Sequence, residues 1–181
     1  MKHLKFMLLL FVGLAAQASA HPGDRFTRFA GFEFEGATLA EVQARIGQSQ
    51  LYTQGDASEA ESWVCYTQNG AEVQFKSGEM GGGTELLGVT LILHPPVTHR
   101  CPGPRKPLPL SLSGLKLGMS KRAFTRVIGT SPSWSGQTAT ASFEYTKSDP
   151  NNQRLDVSIS IIGTFSGGNL VKLVAWKVES T

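Results

Sequence analysis

Three histidines and two cysteines carry most of the chain's potential for metal binding and nucleophilic chemistry. His94 and His99 lie five residues apart with Cys101 close behind, and these residue types hold zinc or copper. Pro95 and Pro96 between the histidines deny the stretch a fixed helical spacing, so linker histidines without a metal are the simpler expectation. His21 is a second candidate, because a free N-terminal histidine chelates copper through its amine and ring when His94 or His99 supplies another imidazole. Cys65 would act as a nucleophile only as a reduced thiolate beside a histidine base. Glu33 with Glu35 and Glu59 with Glu61 are paired acids of the kind glycosidases use, here in loop or edge sequence. Gly163-Thr-Phe-Ser-Gly167 displaces its serine by one position from a nucleophile elbow and reads as a turn. No phosphate loop, zinc helix or calcium loop occurs. The chain is therefore expected to be non-enzymatic, with no catalytic residue, metal or cofactor assigned. The alternative is a small periplasmic hydrolase or metal protein using His94, His99 or His21.

The N-terminus has the order that export requires: Lys2 and Lys5, an apolar run from Leu8 to Ala16, then Ala18-Ser19-Ala20. A signal peptide over residues 1–20, cleaved before His21, is expected, and with it a periplasmic or secreted location. The apolar run is far short of the roughly 20 residues that span a bilayer. No cysteine follows the cleavage site, so no lipid anchor is expected. Cleavage lowers the formal charge from +3 to +1 by removing Lys2 and Lys5, which weakens any compositional case for nucleic-acid binding. Residues 21–93 hold ten acids and four bases, whereas residues 94–181 hold four acids and eleven bases. Two solvated surfaces of opposite charge account for this, as would a basic patch that steers an acidic partner. Cys65 and Cys101 are the whole cysteine complement, and in an oxidising compartment an even count is expected to pair.

Two segments align without a gap: Gly36 to Gly47 and Gly118 to Gly129. Each begins and ends on glycine, with Thr38 or Ser120 placed to cap a helix. Thr38 with Glu41 forms a capping-box pattern. Val42 with Ile46, and Phe124 with Ile128, give each helix one apolar stripe. Gly47 and Gly129 are expected to stop the helices in the left-handed conformation. Strands follow in each copy. Ser62 to Gln68 and Ala71 to Ser77 flank the hairpin signal Asn69-Gly70; Ala139 to Lys147 and Arg154 to Ile162 flank a longer polar turn. Glycine-rich turns at 81–83 and 163–168 precede a third strand in each copy. The expected fold is α+β, with two tandem repeats of one helix and a three-stranded antiparallel sheet, residues 21–93 and 111–181, and helices packed on one sheet face. A proline-rich linker at 94–110 joins them.

In residues 155–161 the apolar Leu155, Val157, Ile159 and Ile161 alternate with Asp156, Ser158 and Ser160, which predicts one buried face and one open face. The open face and its loops are the expected protein-binding surface, with Trp63, Trp134, Asp156, Ser158, Ser160 and Phe165 as candidate contacts. Trp63 has the parity of Cys65 and is either an exposed aromatic or a tryptophan buried at the sheet edge or under the linker.

Gly114-Leu-Lys-Leu-Gly-Met-Ser-Lys-Arg-Ala-Phe-Thr-Arg-Val-Ile-Gly129, followed by Pro132 and Phe143-x-Tyr145, resembles the repeat of the β-lactamase-inhibitor-like (BLIP-like) fold. It is also similar to the small outer-membrane assembly lipoproteins of the SmpA and OmlA type. The resemblance implies a module that binds another envelope or secreted protein through its sheet face and loops, as an inhibitor, an immunity protein or an assembly factor, without active site or cofactor. The chain departs from these families in lacking a lipid-attachment cysteine and any loop that matches the inhibitory loops. Nothing in the sequence specifies the oligomeric state.

Overall fold

Thr38 accepts a hydrogen bond from the Glu41 amide at 3.2 Å, while the Glu41 carboxylate accepts one from the Thr38 amide at 2.8 Å. This reciprocal cap satisfies two amides that the first turn would orphan and starts helix α1 (Leu39–Ile46). Ser120 caps helix α2 (Lys121–Ile128) through the Ala123 amide. Gly129 ends α2 in the left-handed conformation, with φ at 79°. Gly47 differs: its φ of 138° and ψ of 160° lie outside the left-handed helical region, although still in territory that favours glycine. The chain turns there because the Tyr66 hydroxyl donates to the Gly47 carbonyl and the Arg105 amide donates to the Ile46 carbonyl.

The computed structural model describes residues 21–56, 60–95 and 100–181. The expected signal at 1–20, Glu59 and His99 lie outside them. Two small hairpins, β1 (Arg28–Phe29) with β2 (Phe32–Glu33) and β7 (Ser111–Leu112) with β8 (Leu115–Lys116), precede α1 and α2 respectively. The remaining strands are β3 (Tyr52–Gln54), β4 (Glu61–Gln68), β5 (Ala71–Gly78), β6 (Gly88–Leu93), β9 (Ser133–Ser135), β10 (Thr138–Ser148), β11 (Arg154–Ser166) and β12 (Asn169–Ser180). They form one antiparallel sheet of eight strands in the order β3-β4-β5-β6-β12-β11-β10-β9.

This corrects the expected α+β fold of two helix-plus-three-strand repeats. The described residues are mostly β, with two helices of eight residues each on a single continuous sheet. The cause is the pairing of β6 with β12, in register from Lys172 opposite Ile92 to Trp176 opposite Gly88. Two three-stranded sheets would each leave a long apolar edge exposed; pairing satisfies both sets of backbone groups at once. Short strands β3 and β9 then take the outer positions. The supposed turn at 163–168 is corrected too: β11 continues to Ser166, and the reversal is confined to Gly167 and Gly168, both at positive φ. Gly163 is a packing glycine, since a Cβ there would lie 2.9 Å from side-chain atoms of Phe124 and Leu170.

One sheet face carries the core. Val64, Tyr66, Val73, Phe75, Val89, Leu91, Phe143, Ile159, Ile161 and Leu173 pack beneath the helices and the aromatic residues Phe26, Phe29, Phe32 and Phe34. Asn69 and Gly70, both at positive φ, make the tight β4–β5 turn. The segment after residue 99 runs along the outer side of β4. The Cys65–Cys101 disulfide, closing a separation of 36 residues, holds it there. The Thr67 amide donates to the Pro102 carbonyl, and Gln68 and Leu108 exchange two hydrogen bonds. The strap thereby covers a strand edge that β3 leaves unpaired.

Two measurements check these contacts. Replacing both Cys65 and Cys101 with alanine should lower the unfolding free energy in denaturant by about 3–4 kcal/mol, the chain-entropy value for a loop of this length. Burial pushes the Tyr66 hydroxyl up to about 12, with nearby Arg105 opposing. Because the folded state holds this proton more tightly than the unfolded chain, its contribution is intact below pH 10 and is lost as pH rises through about 12. Tyr66→Phe should flatten the alkaline loss of stability and cost about 1 kcal/mol at neutral pH.

Candidate protein-binding face

Alternation along the strands sends the remaining side chains to the opposite, open face. Register places Trp63, Lys76, Gly88, Trp176, Ser160 and Ser142 in one row across six strands. A second row takes Glu61 and Gly78 on one side and Val178, Ser158 and Glu144 on the other. Asp156 follows, opposite Ser180 and Thr146. Asp156 is exposed, and Ser158 and Ser160 are half-buried.

Trp176 stands at the centre of this face, and glycines make its place. A Cβ on Gly88 would sit 2.3 Å from the Ala175 carbonyl oxygen and 2.7 Å from the Trp176 ring; one on Gly78 would meet the far side of the same ring at 3.2 Å. The indole therefore lies across the glycine backbone of β6 toward β5. Two shallow concavities adjoin at Val178. One, of about 310 Å³, lies between Trp176, Leu87, Gly78 and the exposed Met80; the other, of about 370 Å³, lies between Val178, Ser158, Asp156 and Glu144. An apolar centre with a polar rim on a rigid sheet is the composition of a protein-binding patch.

Of the sequence candidates, Trp63 is on this face but buried, and Phe165 and Trp134 lie on the other side of the sheet. Trp63 is on the open side of β4 but only 5 % exposed, stacked on Tyr52 at 5.7 Å with the Lys76 ammonium over its ring. It is thus the buried alternative, and an exposed aromatic there is ruled out. Phe165 is 2 % exposed, because the extension of β11 gives it core parity, where it meets Phe124 edge-on at 5.5 Å. Trp134 is 42 % exposed, but it pairs with Ala139 at the far edge, touches Phe165 and lies under the Lys121 ammonium. It belongs to the α2 side and does not join Asp156, Ser158 and Ser160. Trp176 has the stronger claim. Its signal was Val174, Trp176 and Val178 alternating with Leu173 and Ala175, a pattern that looks like a strand buried on both faces.

Ionisable groups gather on the opposite face, where they neutralise one another. Lys177 occupies a core parity position, 7 % exposed, paired with Glu35 at 3.2 Å and with Glu179. Glu179 also binds Lys147, and its amide donates to Glu35 at 2.7 Å. Burial raises the Glu35 carboxyl above the usual carboxylate range, with the Glu179 amide and Lys177 opposing. At Glu179 burial is outweighed by Lys147 and Lys177, which hold its carboxyl low. Burial works against the Lys177 charge too, but its two carboxylates raise its pKa overall. Burial and the acceptor Asp24 together raise the Tyr145 hydroxyl. The network fastens the segment bearing Glu35 to β12.

The remaining chemical candidates are dispersed. Glu33 is exposed and pairs with Arg28, whereas Glu35 turns inward. Glu61 pairs with Lys76. The His21 ring stacks on Tyr145 at 4.1 Å and its Nδ1 accepts from the Gly23 amide, while His94 directly follows β6, its amide donating to the Gly70 carbonyl. Among the described residues, the group of three possible metal ligands is Cys65, Glu72 and Cys101, and both sulfurs are spent in the disulfide. No helix among the described residues is long and apolar enough to cross a membrane.

No protein-family model and no curated protein matches this chain. Among solved structures, it is similar to a Streptococcus mutans chain described as a "putative beta-lactamase inhibitor protein". The two share 10 % identity over 80 % of this chain and 82 % of that one, with a TM-score of 0.27.

Gly88→Ala should cost about 2–3 kcal/mol through overpacking and displace the Trp176 ring, visible as a shifted indole N–H resonance. An unshifted resonance would contradict the packing described.

Proposed function

We propose that this chain is an exported, non-enzymatic module that binds another envelope or secreted protein through the open sheet face around Trp176. The observation that carries the reading is the asymmetry of the sheet. One face is filled by the core, while the other holds a half-buried tryptophan, Val178 and two concavities edged by serines and carboxylates. Partly exposed apolar residues on a rigid scaffold bind at low ordering cost. The Cys65–Cys101 disulfide supports action in an oxidising compartment. Inhibition of a secreted enzyme, or immunity against one, needs only such a complementary surface, and it is the role we favour over envelope assembly.

The test is affinity capture of the disulfide-bonded chain from its own envelope and secreted fraction. Trp176→Ala and Ser160→Arg should each abolish a stoichiometric partner, at a cost of at least about 2 kcal/mol in affinity. Trp134→Ala, on the other side of the sheet, should leave it. A partner lost with Trp134→Ala and kept with Trp176→Ala would reverse the assignment of the face.

A further inference from the structure

Resting on that reading, we infer that the open face is built for a cationic protein segment, one that presents an apolar side chain between lysines or arginines. Val178 marks the seam between the two concavities. Glu144 lies two strands to one side of it, about 10 Å away, and Glu61 three strands to the other, about 14 Å away. Glu79 and Asp156 add carboxylates at the same two ends, and no lysine or arginine lines either concavity. The patch is thus an apolar centre with negative charge on both sides, spanning about 24 Å.

Two of these carboxylates are already engaged, Glu61 with Lys76 and Asp156 with Arg154 at 3.7 Å. Glu79 and Glu144 form no ion pair with any described residue, so their charge is available to an incoming partner. With Lys76 and Arg154 offsetting Glu61 and Asp156, each end keeps one uncompensated carboxylate, and a net charge of one sign raises the local concentration of the opposite sign and rejects like-charged competitors. Met80, 65 % exposed at the rim, is an unbranched and polarisable side chain that can adapt to the apolar group inserted beside Trp176. An acidic partner would meet uncompensated repulsion, and a wholly apolar one would bury the carboxylates without a counter-charge.

The experiment compares two hairpin peptides with the same leucine tip, flanked by lysines in one and by glutamates in the other. Each is titrated into the folded, disulfide-bonded chain while the Trp176 indole resonance is followed. The expected result is a shift of that resonance by the lysine peptide at an affinity roughly tenfold or more above that of the glutamate peptide. The advantage should shrink on going from about 50 to about 300 mM salt and disappear in the Glu79→Lys/Glu144→Lys double variant. Equal binding of both peptides at Trp176 would overturn the cationic preference and leave the open-face reading standing. Peptides that leave Trp176 unmoved while shifting Trp134 would overturn both. A concentration-dependent shift of Trp176 without any peptide, abolished in the double variant, would make a second copy of this chain the occupant and overturn the choice of a foreign partner.

Discussion

At the middle of the sheet the backbone of β6 passes so close to β12 that one methyl group on Gly88 would overlap the Ala175 carbonyl. That approach joins the strands contributed by the two halves of the chain. It lets the Trp176 indole lie flat across the junction, and it brings Glu61 and Glu79 from the first half onto the same surface as Asp156 and Glu144 from the second. The open face exists as one surface because of this pairing, and a larger residue at a single position would disturb both the sheet and the patch.

The rest of the molecule holds that surface still. The core face fixes strand twist and spacing through close-packed aromatic and branched side chains. The buried network of Glu35, Lys177 and Glu179 ties the N-terminal hairpin segment to β12 from behind, directly opposite the half of the sheet that bears Val178. Removing one member would strand the others as buried charges, which is far costlier than losing an exposed pair. At the outer side of β4, the disulfide-held strap covers the unpaired edge and Cys65, while Tyr52 and Lys76 pack over Trp63. This confines the usable part of the open face to the side of β5, β6 and β10–β12.

Local features were legible in the sequence because local rules govern them. The capping box at Thr38 and Glu41, the Asn69-Gly70 turn, the pairing of two cysteines and the two faces of residues 155–161 each follow from the chemistry of neighbouring residues. Sheet continuity was not legible, because nothing in residues 88–93 or 169–180 states which strand each will pair with, and strand order is a long-range outcome. That gap produced the misplaced expectation of separate three-stranded sheets. Phe165 was misplaced, and Trp63 was left open between exposure and burial, for a related reason: the end of β11 depends on where its partner ends, and burial on the open side depends on which side chains pack over it. Lys177 obscured Trp176 by placing a charge at a core position, where the distant Glu35 and the neighbouring Glu179 make it tolerable.

The most direct test of the account is hydroxyl-radical footprinting of the chain alone and in complex with its captured partner. Met80, Trp134 and Trp176 are reactive reporters placed at the rim, on the opposite side and at the centre of the patch. The account predicts that complex formation protects Trp176 and Met80 and leaves Trp134 as reactive as in the free chain. Protection of Trp134 with Trp176 and Met80 unchanged would contradict it and move the interface to the α2 side of the molecule.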